Sequence, residues 1–118
     1  VKMMLGADYI RLVGQKADPV HRIAVVGGSG GSLISSAAKS GADVLITGDV
    51  GHHAALEART LGIGLIDGGH FNTEKTAFNI FCENLEDFFR KDGWEVGVET
   101  DDTQVDPIWM TSNIYPAG

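Results

Sequence analysis

Apolar and polar positions follow two different periods along this chain. Tyr9-Ile10-Arg11-Leu12-Val13 alternates with period two and is rich in β-formers, the mark of a half-buried strand. Turn residues follow from Gly14 to Pro19, and Ile23-Ala24-Val25-Val26 is a short apolar run that predicts a buried strand. Gly27-Gly28-Ser29-Gly30-Gly31 holds too much glycine for either regular element and predicts a turn, with Ser32 capping a short helix over Leu33 to Lys39 that stops near Gly41. Val44 to Thr47 predicts the next strand, about His52 to Leu61 a helix with Gly62 at its C′ position, and Ile63 to Asp67 another strand. From about Thr73 to Lys91 the spacing of Phe78, Phe81, Cys82, Leu85, Phe88 and Phe89 is that of one buried helical face. Gly93 ends this helix, and Trp94-Glu95-Val96-Gly97-Val98 predicts a further strand. No period survives beyond about Asp101, and residues 111–118 are expected to form a disordered tail.

Strict alternation of strand and helix implies right-handed crossovers and an α/β fold, a mostly parallel or mixed sheet with helices on both faces. At 118 residues the chain can bury one core and is expected to form one lobe over residues 1–110. The opening Val1-Lys2-Met3-Met4 runs straight into Leu5-Gly6, like the end of an earlier element, so a longer parent protein is expected. A net charge of −7 without a basic stripe argues against nucleic acid as a partner. No apolar run approaches the roughly 20 residues that span a bilayer, and no signal-peptide pattern is present. A cytoplasmic address is therefore expected. Cys82 is the only cysteine, so a metal site would have to use nitrogen and oxygen ligands. Its place among Phe78 and Phe81 makes it a small buried hydrophobe rather than a nucleophile.

In open α/β sheets the functional crevice lies past the carboxyl ends of the strands. Asp49, His52, His53, Asp67, His70 and Glu74 all fall there. His70 and Glu74 are four residues apart where a strand gives way to the long helix, expected to begin at Asn72 or Thr73. An imidazole and a carboxylate so placed suit Zn²⁺, Fe²⁺, Mn²⁺ or Co²⁺. Two ligands are too few for a complete site. Glu74 could instead complement the helix dipole while His70 meets a loop carbonyl. Asp49, His53 and Asp67 are candidates to line the pocket or orient ligands, although Asp49 could equally cap the next helix. Of the two adjacent histidines, His52 is read as a plain surface or packing residue.

Gly28, Ser29 and Gly30 offer backbone N–H groups beside a helix N-terminus, a candidate anion site. The loop fits neither the dinucleotide fingerprint nor a P-loop, and close strand-to-helix packing explains the glycines equally well. Gly27 to Gly31 also spells Gly-x-Ser-x-Gly, and Ser29, Asp49 or Asp67, and His70 follow the chain order of a serine hydrolase. Asp67 lies too near His70 in sequence for the usual arrangement of such a triad.

Three stretches taken together, Val25 to Ser32, Ala42 to Asp49 with His53, and Ile66 to His70 with Glu74, resemble the C-terminal half of the dinuclear-metal-centre proteins known as GTP cyclohydrolase 1 type 2 homologues. The resemblance implies a two-lobed fold with two divalent metal ions per full-length chain between the lobes. His70 and Glu74 match this lobe's ligands, while an N-terminal lobe absent from this chain supplies a His-His pair and an Asp. His53 matches the histidine after Thr-Gly-Asp, so His52-His53 is not that N-terminal pair. The resemblance further implies a metal-dependent hydrolase acting on a small molecule or nucleotide, assembly into homo-hexamers, and an isolated fragment that is inactive. The alternative is a non-catalytic nucleotide-binding or interaction module built on the Gly-rich loop.

Overall fold

The computed structural model describes residues 1–14 and 19–108. Four strands, β1 (Arg11–Val13), β2 (Ile23–Ser29), β3 (Val44–Gly48) and β4 (Gly64–Asp67), form one sheet in the order β1-β4-β3-β2. β2, β3 and β4 run parallel, and β1 pairs antiparallel with β4 along the outer edge. The sheet is therefore mixed. A single turn of 3₁₀ helix (Gly31–Leu33) leads into α1 (Ile34–Lys39), and α2 (His52–Leu61) and α3 (His70–Lys91) complete the elements.

Pleating divides the strand residues between two faces. Val13, Leu65, Leu45 and Ala24 lie side by side in register, and they pack with Ile34 and Ala37 of α1 and Ala58 of α2 into the core. Ile34, Leu45 and Leu65 are almost wholly buried, each worth about 1.5–3 kcal/mol relative to exposure. Val26 joins this cluster, whereas a Cβ on the next residue, Gly27, would lie 3.4 Å from the Thr73 carbonyl oxygen of α3. Thus α1 and α2 cover one face and the first turns of α3 cover part of the other. Gly62 ends α2 with φ +71, a left-handed cap that glycine adopts without a Cβ penalty.

Several elements depart from the sequence expectation. The Gly27–Ser29 stretch is not a turn but the end of β2, because the absence of side chains lets that strand approach α3 closely. Ser32 does not cap α1, which instead grows out of the 3₁₀ turn with no side-chain cap. α3 starts at His70 rather than at Asn72 or Thr73. Trp94–Val98 is not a strand: its alternation finds no partner among the described residues. The expected buried face of α3 is only partly buried. Cys82 is buried, but Phe78, Phe81 and Phe88 are each more than half exposed. The tail expected to be disordered, residues 111–118, lies outside the described residues. No helix among those described is long and apolar enough to cross a membrane.

Candidate functional site

The site is built where β3 and β4 end. After Gly48 the chain turns through Asp49, which has φ +55 and is the one non-glycine residue in the left-handed region among those described. Asp is among the few side chains that tolerate this conformation. Gly51, not Asp49, stands at the N-cap of α2, so the Asp49 carboxylate is not engaged in capping. It accepts instead from His70 Nδ1 at 2.6 Å, and the other ring nitrogen, Nε2, lies 3.2 Å from Glu74 Oε2. The imidazole is held between two carboxylates, all three side chains open to solvent.

That environment raises the pKa of His70 above the ordinary histidine value. The Asp49 hydrogen bond is the main cause; desolvation opposes it, and the nearby charges of Glu74 and Asp49 add to it. With α3 beginning at His70, Glu74 falls in the second turn, beyond the first-turn range of the helix dipole. Its position is better explained by the neighbours it meets.

Close packing at glycines makes this convergence possible. A Cβ on Gly48 would lie 2.5 Å from the His70 nitrogen and 2.6 Å from the Gly69 carbonyl carbon, so only glycine lets β3 come so near the start of α3. At Gly28, with φ +69, a Cβ would lie 2.5 Å from Glu74 Oε1. Gly28 thus seats the Glu74 side chain. Thr73 ties the same elements: its hydroxyl accepts from the buried Gly28 N–H at 2.9 Å and donates to the Gly69 carbonyl at 2.8 Å. Thr47 donates to the Gly28 carbonyl at 3.2 Å. Of the anion-site candidates, Gly28 therefore has its N–H engaged within the protein, and Ser29 lies in the strand, in register with Gly48.

The remaining candidates fall in different places. Asp67 is 5% exposed and among the described residues makes no hydrogen bond to the imidazole; it accepts from Val50 N–H at 3.0 Å and Gly69 N–H at 2.9 Å and pairs with Arg11. His53 occupies the first turn of α2, exposed, with its ring edge-on to His52 at 5.9 Å. Among the described residues no hydrogen bond or ion pair joins His53, or Ser29, to Asp49, His70 or Glu74. Arg11, Thr73 and Gly48 were not singled out by sequence reasoning. A lone arginine in an alternating strand and a threonine inside a helix carry no local signal of such roles.

A groove of about 590 Å³ opens beside Glu74, lined by Gly27, Phe71, Lys75, Phe78, Asp101 and Gln104 among others. Lys75 Nζ lies 5.6 Å over the Phe71 ring. The donors His70 Nε2 and Glu74 Oε2 have the spacing of two neighbouring ligands on one ion, given bonds of about 2.0–2.2 Å. Among the described residues, however, no group of three or more His, Cys, Asp or Glu side chains could hold a metal ion. The pair fits as part of a site only.

The chain is similar to known proteins over nearly its whole length. Residues 1–107 match the family described as Duf34/NIF3 (NGG1p interacting factor 3). The chain is 35% identical over 108 residues to a GTP cyclohydrolase 1 type 2 homolog of Staphylococcus aureus (strain MRSA252), covering 92% of this chain and 29% of that protein. The homologue of the same name from Clostridium acetobutylicum is 31% identical over 107 residues, covering 91% of this chain and 40% of that one. Among solved structures, a Bacillus cereus protein related to NIF3 superposes with a TM-score of 0.81 at 33% identity, over 93% of this chain and 30% of the other. This chain thus spans well under half the length of these relatives. With nearly its whole length matched, the chain belongs to the Duf34/NIF3 family.

Proposed function

We propose that this chain is the ligand-donating lobe of a dinuclear, metal-dependent hydrolase, with His70 Nε2 and Glu74 as ligands and the remaining ligands supplied by a second, N-terminal lobe of the full-length protein. The observation that carries this reading is the Asp49–His70–Glu74 arrangement. A carboxylate on Nδ1 holds the proton there and turns the Nε2 lone pair outward, the usual way a metal-binding histidine is oriented. Below its raised pKa His70 is an imidazolium paired with both carboxylates; above it, Nε2 is free to bind. Bound divalent ions (Zn, Fe, Mn or Co, two per full-length chain) would supply Lewis-acid polarisation and make water more acidic at the site.

Asp67 serves this site from behind, by holding Val50 and Gly69 beside Asp49 and His70. His53 lines the approach from α2. The groove beside Glu74, with Phe71 and Lys75 on its wall, is where a small-molecule substrate would rest, and the name of the curated relatives suggests a guanine nucleotide. Assembly into a homo-oligomer is part of the same reading. The alternative, a nucleotide-binding or interaction module on the Gly28–Gly30 loop, has less support, since the Gly28 N–H is already given to Thr73.

The test is metal content per chain by elemental analysis, on this chain and on the full-length protein. About two ions per chain in the longer form, reduced in His70→Ala, is the expected result. Unchanged stoichiometry in His70→Ala would remove the ligand assignment. No metal in either form, with a rise in thermal stability on adding millimolar nucleotide, would favour the alternative.

A further inference from the structure

Arg11 lies on β1, in register with Asp67 on β4. Its guanidinium reaches across the edge of the sheet, pairing with the buried Asp67 carboxylate and donating to the Val50 carbonyl at 2.9 Å. The same Asp67 oxygen accepts the Val50 N–H at 3.0 Å, while the other accepts the Gly69 N–H at 2.9 Å. Val50 is thus held at both its N–H and its C=O, directly after Asp49. Gly69 is held directly before His70. One ion pair therefore clamps the two loops whose side chains meet at 2.6 Å.

From this geometry we infer that Arg11 is a positioning residue: acting through Asp67 and Val50, it keeps Asp49 in its left-handed conformation and its carboxylate against His70 Nδ1. The physical need is local. Asp49 at φ +55 is in a region that most L-residues avoid and that Asp tolerates at a cost, so its surroundings help to hold it there. Without the Arg11 guanidinium, the Val50 carbonyl loses its donor and the Asp67 carboxylate loses the partner that holds it against the Val50 N–H, so the peptide that follows Asp49 can rotate. Asp49 then relaxes toward negative φ and its carboxylate swings away from the imidazole. Lysine is an incomplete replacement: one guanidinium nitrogen, Nη2, makes both contacts, and an ammonium on a shorter side chain reaches that point less well. The inference rests on the proposed use of the Asp49–His70 pair, but its test does not require bound metal.

The test is the tautomer of His70, read from ring ¹⁵N shifts in histidine-labelled protein kept metal-free with a chelator, at a pH above the His70 midpoint. The wild-type chain should hold His70 mainly as the Nδ1–H form. Arg11→Met should lower the ratio of Nδ1–H to Nε2–H about fivefold, the weight of one ordinary hydrogen bond. Arg11→Lys should move it in the same direction by less, and decides the matter if Arg11→Met does not fold. Arg22→Met is the control: Arg22 donates to the Ser40 carbonyl at 2.7 Å, in the loop before β3, and its loss should leave the tautomer unchanged. Wild-type tautomer ratios in both Arg11 variants, whatever their thermal stability, would overturn the inference. A shifted ratio in a full-length protein that binds no metal would leave this inference standing while removing the metal reading.

Discussion

Asp49, His70 and Glu74 could be picked out from the sequence because each follows a strand end, where α/β proteins gather their chemistry. What the sequence did not carry was the hand-off between them. The raised pKa of His70 has a consequence for pH dependence. A histidine whose pKa is higher in the folded state stabilises the fold fully below its unfolded value of about 6.5, and that contribution is lost as pH rises through the folded value. An NMR titration of His70 should therefore show a midpoint above that of an ordinary histidine, and Asp49→Asn should lower it; an unchanged midpoint would mean that the hydrogen bond is not formed in solution. Gly48 is another residue whose role is visible only in three dimensions. Because an added methyl would press on the backbone of Gly69 and His70, Gly48→Ala should destabilise the chain by about 1–3 kcal/mol in urea unfolding.

At the level of elements, the periodicities correctly placed β3, α2, β4 and the body of α3, since each has enough apolar residues to announce its period. They failed where tertiary packing overrode local preference. Three successive residues, Gly27, Gly28 and Ser29, have low strand propensity, yet they extend β2 because a helix must come close there. Trp94–Val98 shows the reverse, a pattern suited to a strand with no neighbouring strand to complete it. The contact between β2 and α3 depends heavily on Thr73. Thr73→Val keeps the shape but leaves the buried Gly28 N–H without its acceptor, and should cost about 1–3 kcal/mol by chemical denaturation. A cost near zero would mean that the amide finds another partner. The same substitution should lower metal content in the full-length protein only if β2 also sets where Glu74 sits.

Across the whole molecule, the two faces of the sheet are unequal. Leu12, Ile66, Ile46 and Val25 lie in one lateral row opposite the core face. Leu12 is 60% and Val25 69% exposed, and Ile23 beside them is 55% exposed. Period-two alternation announces which residues share a face, but it cannot say whether anything covers that face; hence the sequence led us to expect a better-buried second layer than α3 provides. An apolar row of this kind should bind an environment-sensitive hydrophobic dye when the chain is studied alone. The double variant Leu12→Thr, Val25→Thr should lose most of that fluorescence while keeping its circular dichroism. Undiminished fluorescence would place the dye elsewhere, for example on the exposed aromatic residues of α3.

The start of α3 at His70 has one more consequence. His70 and Glu74 sit one turn apart on a single rigid rod and travel together, whereas Asp49 belongs to a different loop. Inserting one residue between Gly68 and Gly69 would lengthen the span from β4 to the rod, leaving the histidine–glutamate pair intact while displacing it from Asp49. The pair is in this sense portable and the link is not: loop length between β4 and α3 acts as a ruler, and change along this lineage should be freer in the body of the helix than in the two glycines that precede it.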